Sequence, residues 1–193
     1  MIELIPETYV APLDLLAIFG RVAPLQVDLG CGNGSFLSEL AQRHPDKNFL
    51  GIERLVGRVA KACQKAGALG NVRILNVENS YAVGYLLPEG SVETFYLLFP
   101  DPWPKRRHHR RRIVKPDFLD AIHHALEDDG SLRIATDQLD YFDLIQRVSE
   151  DHSGFAIADG GDVDLPSTKF ERRFIALGAP IYQLALRKIS PVK

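Results

Sequence analysis

Cysteine is nearly missing from this chain: Cys31 and Cys63 are the only two in 193 residues, and neither stands in a spacing that suits a metal. That excludes a disulfide-stapled scaffold and a thiolate metal centre, and leaves two free buried thiols as the simplest reading. Long apolar runs are also lacking; none approaches the roughly 20 residues that span a bilayer. The first ten residues, MIELIPETYV, have neither the basic nor the apolar region of an export signal. A cytoplasmic protein with no membrane partner and no metal is therefore expected. Repeats, low-complexity tracts and Ser/Gly linkers are absent too. With 46% hydrophobic residues, the chain can bury one good core, so residues 1–193 read as a single domain.

Excess charge is small overall, with 23 Lys and Arg against 25 Asp and Glu, yet it is unevenly placed. Lys105 to Lys115 holds seven of the cations and no acid, which leaves 16 cations against the 25 acids elsewhere. The run Phe99 to Arg112 reads FPDPWPKRRHHRRR: a turn stiffened by Pro102 and Pro104 leads straight into the cations. Such a concentration beside one rigid turn suits a polyanion better than a small acid. Seven like charges with no acid among them also predict a mobile basic arm.

Strands alternate with helices along the chain, which calls for a mostly parallel sheet covered on both faces. The expected strands are 25–28, 48–52, 72–75, 92–99, 131–135, 155–157 and 181–186, seven in all. The expected helices are 13–19, 35–43 with Ser35 as N-cap, 56–66 closed by Gly67, 116–126 with proline in its first turn, and 139–148.

The first strand runs into Asp28-Leu29-Gly30-Cys31-Gly32-Asn33-Gly34. Glycines at 30, 32 and 34 let the backbone turn tightly and leave room for a ligand at a helix N-terminus. The spacing is not the G-x-G-x-x-G of a dinucleotide site, and no P-loop lysine follows. An acid two residues before the first glycine repels pyrophosphate but accepts from an ammonium or stands beside a sulfonium. That chemistry points to S-adenosylmethionine. Glu53 falls 25 residues after Asp28, at the end of the second strand, where a carboxylate can accept from both hydroxyls of a ribose. After the third strand, Glu78 and Asn79 offer a polar group for the adenine amino group, and the sequence does not choose between them.

Taken together, these segments resemble a bacterial tRNA (guanine-N7-)-methyltransferase. The resemblance is carried by Asp28 to Gly34, Gly51-Ile52-Glu53-Arg54, Leu98 to His108, Arg111-Arg112-Ile113-Val114, Thr136-Asp137 and Thr168-Lys169-Phe170-Glu171, in the family's order. It implies a Rossmann-like, seven-stranded methyltransferase fold, S-adenosylmethionine as donor, and a guanine in the tRNA variable loop as acceptor. Glu78-Asn79-Ser80 departs from the acid-alanine pair common in the family.

Guanine N7 carries a lone pair and no proton, so methyl transfer needs no general base, only alignment and tolerance of a purine that becomes cationic. Asp101, at the carboxyl end of the fourth strand, is the expected catalytic carboxylate; holding the guanine edge or the methionine moiety are its alternative roles. Lys105 is expected on RNA phosphate, with Arg107, His108, His109, Arg110, Arg111 and Arg112 extending the contact. Trp103 either stacks on a base or plugs the turn. Asp137, Thr168, Lys169, Phe170 and Glu171 resemble the family's substrate-binding positions; Thr168 and Glu171 also read as a helix capping box. Two other functions compete: an amino-methyltransferase, whose D-P-P-aromatic motif Asp101-Pro102-Trp103 matches only in part, and a non-catalytic RNA-binding module on the same fold. Monomer and homodimer both fit the sequence.

Overall fold

A computed structural model describes residues 2–158 and 165–189; Met1 and residues 190–193, the ends of the expected domain, lie outside them. The centre of the sheet is β2 (Leu25–Leu29), buried at all five positions. A strand covered on both faces needs no alternation, and LQVDL shows none. It pairs in parallel with β3 (Asn48–Ile52) on one side and β5 (Val92–Leu98) on the other. Outward from β3 come β4 (Val72–Leu75) and β1 (Glu3–Leu4); outward from β5 come β6 (Leu126–Thr136), β8 (Tyr182–Lys188) and β7 (Phe155–Ala158). Strand β8 runs antiparallel to both of its neighbours, β6 and β7.

Among the described residues the sheet therefore has eight strands where seven were expected. The extra one, β1, is two residues long, too short for any period-two pattern to announce it. A second difference lies in β6, which starts at Leu126 and not at Ser131. Leu126, expected to end a helix, pairs with Val92 across a register shift, and Asp129, in the unassigned stretch before Ser131, takes a positive φ of 61°.

Helices α2 (Ser35–Arg43) and α3 (Val56–Ala66) cover one face, packing Leu37, Leu40, Val59 and Ala62 on Phe49, Ile74 and Tyr96. The other face carries α5 (Pro116–Ala125), α6 (Leu139–Glu150) and the short α4 (Asn79–Tyr81), which continues as one π-helical turn over Ala82–Leu86. Here Leu119, Ile122, Tyr141 and Ile145 meet Leu50, Phe95 and Leu97. A short α1 (Leu15–Phe19) opens two residues later than expected, behind an Asp14 cap. The N-cap of α2 is Gly34, in the left-handed region at φ 72°, and not Ser35. A Cβ on Gly34 would stand 2.9 Å from Ala62 Cα, so this glycine lets α3 press against the loop. Strand order reverses at β2, between β3 and β5, which opens a crevice at the carboxyl ends of these strands.

Candidate active site

The crevice holds a cavity of about 610 Å³, floored by Leu29, Gly30 and Glu53 and walled by Asn79, Leu97, Asp101 and Trp103. The loop after β2 folds back on β3: Gly30 and Cys31 N–H both donate to Ile52 O, at 2.8 and 2.9 Å. Gly32 N–H donates to Glu53 Oε2 at 3.2 Å, and Leu55 N–H donates to Glu53 Oε1 at 2.9 Å. Arg58 from α3 stands 3.7 Å from the same carboxylate. Glu53 is thus a buried acid with its orientation set by two backbone donors and one ion pair, beside a backbone that glycine keeps open. Asp28 is also buried, and burial, then the nearby Glu53, pushes its carboxyl from 3.8 up to about 7.

At the end of β4 the roles divide. Glu78 caps α4, its carboxylate accepting from Tyr81 N–H at 3.0 Å. Asn79 reaches toward the glycine loop; a Cβ on Gly30 would lie 3.6 Å from its Nδ2. Asn76, which the sequence reading missed, donates to Glu53 O at 2.8 Å and ties β4 to β3. No local pattern marks it, because its partner lies on another strand.

The turn after β5 is strained. Phe99 and Trp103 both have positive φ, 55° and 43°, and they flank Pro100-Asp101-Pro102. Bulky residues take this conformation only where surrounding contacts over-determine it, a pattern that clusters at functional sites. Phe99 N–H donates to Ala135 O at 2.7 Å, and its ring sits 5.4 Å from that of Phe174. Trp103 carries the Arg111 guanidinium 4.8 Å over its ring and meets the His108 ring edge-on. The result is an Asp101 side chain that is 72% exposed at the mouth of the cavity, 3.7 Å from Arg54.

The basic segment is not a loose arm. Arg106–Arg111 form a 3-10 helix, with Lys105, Arg106, Arg107, Arg110 and Arg111 exposed. Packing of Arg111 and His108 on Trp103 supplies the contacts that offset the repulsion among the cations. Arg112 is a correction to the expected phosphate contacts: it is 3% exposed and points inward to Asp140 and Pro102. His109 also turns toward Asp140, at 4.0 Å, while His108 accepts from Arg107.

A second cavity, of about 370 Å³, lies on the other side of Phe99, lined by Phe36, Arg133, Gln183, Thr168 and Glu171. The last two form the expected capping box of α7 (Lys169–Ala176): Thr168 Oγ1 accepts from Glu171 N–H, and Glu171 accepts from Thr168 N–H. Lys169 and Phe170 are exposed on that helix. Asp137 follows β6 and accepts from the Gln138 amide at 2.7 Å. Among the described residues, no group of three or more His, Cys, Asp or Glu could hold a metal, and no helix is long and apolar enough to cross a membrane.

A family described as "Putative methyltransferase" matches residues 22–184. A tRNA (guanine-N(7)-)-methyltransferase of Leifsonia xyli is 42% identical over 186 residues, covering 92% of this chain and 82% of the relative. One of the same name from Thermotoga maritima is 38% identical over 97% of this chain and 62% of the relative. Among solved structures, the antibiotic-resistance methyltransferase Kmr superposes with a TM-score of 0.62 at 18% identity, covering 97% of this chain and 96% of that one. At that identity the likeness speaks for the fold, a Rossmann-like methyltransferase sheet.

Proposed function

The chain belongs to the tRNA (guanine-N7-)-methyltransferase family, and from that premise we propose that it methylates N7 of a guanosine in the tRNA variable loop, as one cytoplasmic catalytic domain. The observation that carries this reading is Asp101. It is held between two strained residues at the mouth of the glycine-loop cavity, next to an ordered row of cations.

The cavity residues fit S-adenosylmethionine. Glu53 keeps acceptor capacity for a ribose diol beside an open backbone, and Asn79 Nδ2 and Oδ1 suit an adenine edge. Of the two adenine candidates, Asn79 is the better placed, since Glu78 is engaged as a cap. Asp28 lies beneath the loop as a second acid for the cationic end of the ligand. When bound, this donor supplies a methyl carbon made electrophilic by a positively charged sulfur. That methyl would bond to the N7 lone pair while the carbon–sulfur bonding electrons stay on sulfur, so the positive charge would move to the purine. Asp101, at the cavity mouth, would offer a carboxylate to that charge. Lys105, Arg107 and Arg110 attract the phosphates, while Thr168 and Glu171, which line the second cavity, and Asp137, which follows β6, face the nucleoside.

Replacing Asp101 with Asn tests the assignment. Single-turnover methylation is expected to fall on the order of 10²-fold, the scale for removing one group aimed at transition-state charge, with tRNA binding unweakened because an anion has been removed. A near-normal single-turnover rate would refute the catalytic role.

A further inference from the structure

Of the seven Lys and Arg between Lys105 and Lys115, Arg112 alone is buried. Its Nε donates to Pro102 O at 2.8 Å, inside the turn that carries Asp101. Its Nη2 donates to the Asp140 carboxylate in the first turn of α6, and its guanidinium lies 4.7 Å over the Tyr141 ring. The Tyr141 hydroxyl in turn accepts from Val114 N–H, just past the basic helix. One side chain therefore joins three pieces of chain: the strained turn before the basic helix, the segment after it, and α6 on the sheet. A planar guanidinium presents donors in its plane to a carbonyl and a carboxylate while its face lies on an aromatic ring; an ammonium is a point charge without that planar fork.

We propose that Arg112 is a positioning residue that locks the basic helix and the Asp101 turn onto α6 through Asp140 and Tyr141. The phosphate grip and the methyl-transfer site then stay in fixed register. The proposal rests on the tRNA reading above, since the register matters only if one RNA meets both. It separates Arg112 from its exposed neighbours, which meet phosphate directly.

Trp103 is the only tryptophan and belongs to the turn, so its fluorescence reports the anchor without any need for activity. The test uses Asp140→Ala, with Asp140→Asn and Arg112→Lys as conservative companions. The Asp140 side chain is 55% exposed, so its loss spares the core, and a thermal melt of each variant checks this. In the full chain without ligands, Asp140→Ala and Arg112→Lys are expected to raise acrylamide quenching of Trp103 about twofold. With saturating tRNA and S-adenosylmethionine, each is expected to lower the single-turnover rate about tenfold. The salt slope of tRNA binding should stay as in the wild type, because no phosphate contact is lost. If Asp140→Ala leaves quenching and rate unchanged and merely tightens tRNA binding, as removal of a surface anion would, the anchor is overturned. Arg112→Gln, which unlike Lys removes the charge, is expected to keep the wild-type salt slope, and a flattened slope in it would overturn the anchor as well. If the wild type makes no 7-methylguanosine, the functional reading fails, and the quenching arm still decides the anchor.

Discussion

At the scale of single residues, the site is governed by where carboxylates are allowed to be charged. Asp28 and Glu53 sit under one loop, and burial together with that proximity raises the Asp28 carboxyl from 3.8 to about 7. Between these values the folded chain keeps a proton that the unfolded chain has lost, so stability is full below about pH 4 and declines as pH rises through about 7. Three units correspond to an upper bound of roughly 4 kcal/mol. Asp28→Asn keeps the shape and removes the titration. Without ligand, the wild-type melting temperature is expected to drop more between about pH 5 and pH 8 than that of Asp28→Asn. Parallel pH profiles would show that Asp28 does not titrate in this range. A cationic ligand end beside Asp28 would favour its ionised form, so a ligand can recover part of what burial costs.

Among the elements, the basic 3-10 helix separates attraction from chemistry. Arg107 and Arg110 are exposed and line neither cavity. The double variant Arg107→Ala/Arg110→Ala is expected to weaken tRNA binding and to reduce the slope of log K against log salt by somewhat under one unit per lost contact, about 0.7 to 0.9. Affinity for S-adenosylmethionine should not change. An unchanged slope, measured by tRNA titration across salt concentrations, would make the helix a solvated surface. This element also shows the limits of the sequence. Charge pattern alone forecast an unstructured arm of equivalent cations, but order arises from Trp103 beneath Arg111 and from Asp140, which lies 28 positions from Arg112. Contacts that distant leave no local trace. By contrast α2, α3, β3 and β4 fall within the expected bounds, because periodicity and the Gly67 stop of α3 are local signals, although α2 is capped by Gly34 and not by Ser35. The capping box of α7 was equally plain in Thr168 and Glu171.

On the scale of the molecule, the parallel sheet does the gathering. Glu53, Asn79 and Asp101 come from at or near the carboxyl ends of β3, β4 and β5 and line one crevice, with Asp28 of β2 buried beneath its glycine loop, and strand order alone gathers them. Part of the candidate site was legible in the sequence because Asp28, Glu53 and Asp101 stand at strand ends, whereas the preference for Asn79 over Glu78 needed the cap that Glu78 makes on α4. What was not legible was the support: Asn76, Arg58, Asp140 and the second cavity behind Phe99 depend on approaches between elements far apart in the chain. The central claim is that this crevice methylates guanine N7 in tRNA. The most direct measurement incubates the purified chain with bulk tRNA and methyl-labelled S-adenosylmethionine, digests the RNA to nucleosides, and identifies the one that carries label. The expected result is label in 7-methylguanosine, lost with Asp101→Asn. Label in a methylated adenosine or cytidine, or no transfer by a chain that binds both ligands, would contradict it.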